Sequence, residues 1–159
     1  MTDDVIRLDL GCVPDAGASG AVLVATGTSA FLTFDAVREA PDGRGGGEAG
    51  ATATAFVELA GCRATRFGHP DAATLLGHPL ASKLSGPCAI YEVRESSWRA
   101  EQEGRDWRDP SAARSWDCRH FLISLPDATF EALADDLVVD LLEEPYHVAF
   151  ERISRRILR

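Results

Sequence analysis

At 159 residues the chain has the length of one domain, with enough core to bury about 68–70% of its unfolded surface. Its formal charge of −9, from 16 Lys and Arg against 25 Asp and Glu, repels phosphate backbones and excludes nucleic acid as an expected partner. With 45% hydrophobic and 26% charged residues, no apolar run near the ~18 residues of a membrane span, and no basic region in Met1-Thr2-Asp3-Asp4, the expectation is one cytoplasmic domain over 1–159 with no membrane partner.

The first half reads as four short strands, about 4–12, 20–26, 30–38 and 52–67, each rich in Val, Leu, Phe or Thr. Pro14-Asp15-Ala16-Gly17 and Gly27-Thr28-Ser29 punctuate the first three and predict antiparallel hairpins. In the fourth, Ala53, Ala55, Val57 and Leu59 alternate with Thr52, Thr54 and Glu58, the pattern of a strand wet on one face. Residues 39–50 hold too little apolar surface to offset the entropy of ordering them and predict a mobile loop. Gly45, Gly47 and Gly50 spell Gly-x-Gly-x-x-Gly there, but no strand feeds the turn and no helix follows, so a dinucleotide fingerprint is not expected.

Pro70 and Gly77 frame a helix of two turns at most. A further strand over 88–94 places Ala89, Tyr91 and Val93 on one face and Ile90, Glu92 and Arg94 on the other, after which Ser97 is placed to cap a short polar helix ending near Gly104. Residues 105–117 read as a surface excursion broken by Pro110. Six arginines between Arg94 and Arg119 are matched there by six nearby acids, as on a solvated surface. Beyond it, 127–141 admits two readings. Phe130, Leu133, Ala134, Leu137, Val138 and Leu141 fit a helical face, whereas 120–125 followed by Pro126-Asp127 reads as the first arm of a hairpin. The end is the clearest helix, 145–159, where Tyr146, Ala149, Phe150, Ile153 and Ile157 form one apolar stripe and Arg155, Arg156 and Arg159 meet the negative end of the dipole.

Between residues 68 and 134, Gly68, Pro70, Leu75, Gly77-His78-Pro79-Leu80, Glu92-Val93, Ser96-Ser97-Trp98, His120-Phe121, Asp127 and Thr129-Phe130-Glu131 form a pattern that resembles a family of short bacterial proteins with no assigned activity. Asp71-Ala72-Ala73, Glu95 and Pro126 depart from it. The resemblance favours the hairpin at Asp127. The expected fold is therefore α+β: an antiparallel sheet with hairpins, packed by the C-terminal amphipathic helix and short helices.

No motif with a defined mechanism is complete. Cys12, Cys62, Cys88 and Cys118 are too scattered for a zinc ribbon or a redox pair and read as reduced thiols. There is no Gly-x-Ser-x-Gly elbow, and Gly77 to Lys83 lacks the second glycine and the hydroxyl residue of a phosphate loop. What remains is a set of polar groups at the edges of apolar runs. His78, His120, Glu92 and Asp127 are the candidate acid/base residues, with a carboxylate to fix a histidine tautomer; Trp98, Ser97 and Glu131 are the candidate ligand contacts. The leading expectation is a pocket for a small-molecule ligand in a binding or accessory protein. The alternatives are an acid/base or metal-dependent enzyme on the same residues, with His78 and His120 converging, and a protein-interaction module on 98–119, where Trp98, Trp107 and Trp116 recur every nine residues. The sequence names no cofactor, and it leaves a protein partner or a homo-oligomer open.

Overall fold

The computed structural model describes residues 2–39, 50–105 and 116–158. Alternating apolar side chains and turn residues give, among these, ten strands in chain order: β1 (Asp4–Arg7), β2 (Cys12–Pro14), β3 (Val22–Ala25), β4 (Ser29–Arg38), β5 (Thr52–Ala60), β6 (Ala64–Gly68), β7 (Ile90–Arg94), β8 (Arg119–Ser124), β9 (Thr129–Ala134) and β10 (Asp136–Leu142). Two α-helices accompany them, α1 (Ser97–Arg105) and α2 (Tyr146–Ile157). The α+β class holds, with antiparallel pairing throughout, in two sheets rather than one. One sheet runs β1-β7-β8-β9-β6; the other runs β10-β5-β4-β2, with β3 also laid along β4.

The sheets are joined at corners where a strand changes sheets. Residues 52–67, expected as one strand, split at Gly61, whose φ of +59° sends the chain from β5 in one sheet to β6 in the other. The partner strands bend at the same place: β10 pairs with β5 and β9 with β6, with Asp135 alone between β9 and β10. Asp135 N–H donates to Ala60 O (2.9 Å), Arg63 N–H donates to Leu133 O (2.8 Å), and an Arg63–Asp135 ion pair of 2.6 Å spans the corner. Residues 4–12 split likewise, with Gly11 (φ +80°) between β1 in one sheet and β2 in the other. Such bends are how sandwich corners are made.

Between the sheets lies the main core. Leu32, Phe34, Val57 and Leu59 from one sheet meet Ile90, Phe121, Ile123 and Phe130 from the other. The outer face of the β4–β5 sheet carries Phe31 and Phe56, which α2 covers with Ala149 and Ile153. Burying the Ile153 side chain is worth about 1.5–3 kcal/mol. The amphipathic stripe thus docks the C-terminal helix as expected.

The 127–141 segment forms strands, so the hairpin reading holds and the helical spacing misleads. Every residue of β9 is buried, because β9 has the core on one face and a covering layer on the other, and such strands lose the period of two. The helix expected between Pro70 and Gly77 reduces to one 3-10 turn, Leu75–Gly77, followed by another, Ala81–Lys83. Asp71 and Thr74 are the physical reason. The Asp71 carboxylate accepts from the Thr74 N–H (2.9 Å) and hydroxyl (2.7 Å), a local turn that competes with the helix ladder. Residues 40–49, most of the expected mobile loop, and 106–115, most of the expected excursion, lie outside the described residues.

Candidate active or ligand-binding site

The outer face of the β1-β7-β8-β9-β6 sheet holds the candidate site. Alternation along β8 turns His120, Leu122 and Ser124 outward, and the β8–β9 register sets Leu122 opposite Glu131 and His120 opposite Leu133. His120 and Glu131 are therefore diagonal neighbours, within reach of long side chains. His120 Nε2 lies 2.9 Å from Glu131 Oε1. His78 arrives from above, in extended backbone (φ −74°, ψ 140°) just after the first 3-10 turn, and its Nε2 lies 3.2 Å from Glu131 Oε2. One buried carboxylate thus bridges two buried imidazoles, each through a different oxygen.

Hydrogen bonds assign the protons. Leu80 N–H donates to His78 Nδ1 (3.0 Å), so that nitrogen holds a lone pair and the ring proton sits on Nε2, donated to Glu131. On His120 the second nitrogen, Nδ1, is 2.7 Å from Ser96 Oγ, which also accepts the N–H of Arg99 (3.0 Å). Ser96 Oγ therefore caps α1, a role expected of Ser97. Ser97 is instead the first helical residue, and both its N–H and its hydroxyl donate to the Asp3 carboxylate (2.6 and 2.8 Å). Burial pushes the Glu131 carboxyl up, but the hydrogen bonds from His120 and His78 outweigh it and hold it at about 2. Glu131 is ionised at neutral pH.

Trp98, on the first turn of α1, packs edge-on to His120 (5.1 Å between rings, 72°). On its other side the Arg66 guanidinium lies 4.0 Å from the indole centroid. Around these groups opens a cavity of about 490 Å³, lined among others by Asp3, Arg66, His78, Ser97, Trp98 and Glu131. Its volume falls within the range of small-molecule sites, about 300–1,000 Å³.

Five of the seven expected site residues converge: His78, His120, Ser97, Trp98 and Glu131 all line this cavity. Glu92 and Asp127 do not. Glu92 stands on the opposite face of β7, beside Ile90, where Arg119 holds its carboxylate through two hydrogen bonds (3.0 and 2.8 Å) and lowers its pKa. Asp127 accepts the N–H of Gly20 (2.9 Å) and so fastens the β8–β9 turn to the other sheet's edge loop. Glu131 occupies the centre expected for those two carboxylates. Its signals in the sequence were a charged residue inside the apolar run Phe130 to Ala134 and its place in the Thr129-Phe130-Glu131 motif, which marked it as a ligand contact rather than as the acid/base carboxylate. Arg66 had none, since an arginine alternating with Thr65 and Phe67 looks like any solvated strand residue.

For chemistry, the connectivity Ser96–His120–Glu131 has the members of a nucleophilic triad, but Ser96 is 1% exposed and is not among the residues lining the cavity. Both nitrogens of each site histidine are already hydrogen-bonded, and among the described residues no three His, Cys, Asp or Glu side chains are grouped to hold a metal ion. What the floor offers a ligand is the second lone pair on each Glu131 oxygen. Trp98 and Trp116 are buried in one apolar cluster with Cys118 and Leu133, while Trp107 lies outside the described residues. The chain matches no protein-family model, no curated protein and no solved structure.

Proposed function

We propose that the protein binds a small molecule, as a binding or accessory protein, in the cavity above Glu131. The observation that carries this reading is an ionised carboxylate buried with two imidazoles at the floor of an open cavity. A buried charge network is a poor source of stability, since apolar side chains of similar size do as well or better. On a sheet face already covered by Trp98, Leu80 and Leu84, its use lies in presenting an oriented acceptor to something in the cavity. The cytoplasm is the proposed compartment. Free cysteines support it, three of the four being buried, with the Cys12 thiol pushed up to about 11 chiefly by burial. Among the described residues no helix is long and apolar enough to cross a membrane.

Acid/base catalysis is the second reading, favoured by the 2.9 Å contact that fixes the His120 ring against a carboxylate. It is the weaker, because the accessible lone pairs belong to Glu131, and a carboxylate held at about 2 is a poor base near neutrality. The likeness to the bacterial family adds no activity to either reading, and the interaction module on 98–119 rests on Trp107 alone among its tryptophans.

Thermal shift against pools of metabolites tests the proposal. A ligand at 100 times its Kd stabilises by about 2.7 kcal/mol, or roughly 5–10 °C in Tm for a domain of this size. A shift that disappears in Trp98→Ala supports the site, and pools that leave Tm unmoved refute it.

A further inference from the structure

The cavity has two chemically different ends. At the floor, the ionised Glu131 carboxylate has one lone pair on each oxygen taken by an imidazole N–H and the second on each left for another donor. At the mouth, Arg66 is exposed and lies directly opposite Glu131 across the β6–β9 pair. Directly opposed residues have Cβ atoms about 4.5–5.5 Å apart, well within ion-pairing reach. They nevertheless form no ion pair. The two histidines hold the carboxylate, and the Arg66 guanidinium lies instead over the Trp98 ring, 4.0 Å from its centroid. No carboxylate among the described residues pairs with Arg66. Asp3, the other acid at the cavity, has both oxygens engaged by Ser97.

A cation–π contact with the indole uses none of the guanidinium's N–H donors and restrains the side chain, so that less motion is lost when an anion docks. We propose that the cavity takes a small organic zwitterion or amino acid-like molecule, with a carboxylate-class anion on Arg66 and an N–H donor reaching down to Glu131. This rests on the ligand-site reading above and adds the charge pattern of the ligand.

A four-carbon series separates the two ends: 4-aminobutyrate carries both groups, butyrate the anion alone, butylamine the donor alone and butanol neither. Each is titrated into the isotopically labelled protein to about 100 mM, with the Trp98 indole N–H and Arg66 Nε–H signals read by NMR. The expected result is 4-aminobutyrate binding about tenfold or more tighter than butyrate and butylamine. In Arg66→Gln, an exposed change that leaves the core alone, that advantage over butylamine should vanish while butylamine binding persists. Butanol binding as well as 4-aminobutyrate would overturn the charge assignment and leave the ligand site standing, as would butyrate or butylamine binding best. Failure of all four beside a hit in the metabolite pools would sink the zwitterion alone. Failure of both would sink the two readings together.

Discussion

Replacing Glu131 by Gln preserves shape and removes the charge that the site is built around. The wild-type carboxylate accepts from two imidazole N–H groups. A carboxamide has one accepting oxygen, so its NH2 must face a second ring. His120 is able to adapt by taking the other tautomer, with its Nδ1–H turned to Ser96, whereas His78 cannot, because its Nδ1 already accepts from Leu80. The relaxed arrangement keeps the oxygen on His78 and the NH2 on His120, and replaces two charge-assisted bonds with neutral ones, at a cost of about 1–3 kcal/mol. Linkage sets the ceiling. A carboxyl held at about 2 in the folded protein, against an ordinary 4.5, contributes at most about 3 kcal/mol at neutral pH. Because the folded value is depressed, this stability is complete above the unfolded chain's value, falls as pH drops from about 5, and is gone below about 2. Urea titrations read by tryptophan fluorescence at pH 7, 5, 4 and 3 measure it. With a slope of about 2 kcal/mol per molar, the midpoint should fall by roughly 0.5–1.5 M at pH 7, and the gap between wild type and variant should narrow steadily toward pH 3. A gap of the same size at pH 7 and pH 3 would mean that Glu131 is not ionised in the folded protein, and the account of the site would fail with it.

Three further expectations follow from the same geometry. Ser96→Ala should cost more than Ser97→Ala in chemical denaturation, about 2–3 kcal/mol against less than about 1, because it removes both the α1 cap and the partner of His120 Nδ1; the reverse order would return the cap to Ser97. Long-range proton–nitrogen NMR of the neutral ring should place the His78 proton on Nε2 with Nδ1 bare, and the Nδ1–H tautomer would contradict the Leu80 contact. Gly61→Ala should lower stability by about 1–3 kcal/mol, since φ of +59° strains any side chain and the new Cβ would fall 2.0 Å from Asp135 Oδ2, displacing the Arg63 ion pair. A loss under about 0.5 kcal/mol would show that the corner does not need its glycine.

Local patterns were legible because the physics behind them is local. The stripe from Tyr146 to Ile157 specifies an amphipathic helix whatever it packs on, and the alternation around Val57 specifies a strand within a few residues of its ends. Five of the seven expected site residues converge partly for the same reason: polar groups interrupting apolar runs have to be satisfied somewhere. The failures share a cause as well. Glu92 and Glu131 are alike in sequence, each a glutamate inside a short strand, and differ only in the face they occupy and the partner waiting there, Arg119 in one case and two histidines in the other. By itself, then, the amino-acid sequence determined the α+β class, the positions of most strands, the C-terminal helix and a net charge of −9. The tertiary structure alone decided that 4–12 and 52–67 each serve two sheets, that β9 is buried on both faces, and that Glu131 rather than Glu92 or Asp127 meets His78 and His120. Those outcomes depend on register and on contacts between different segments of the chain, such as His78 with Glu131, and no periodicity within one segment encodes them.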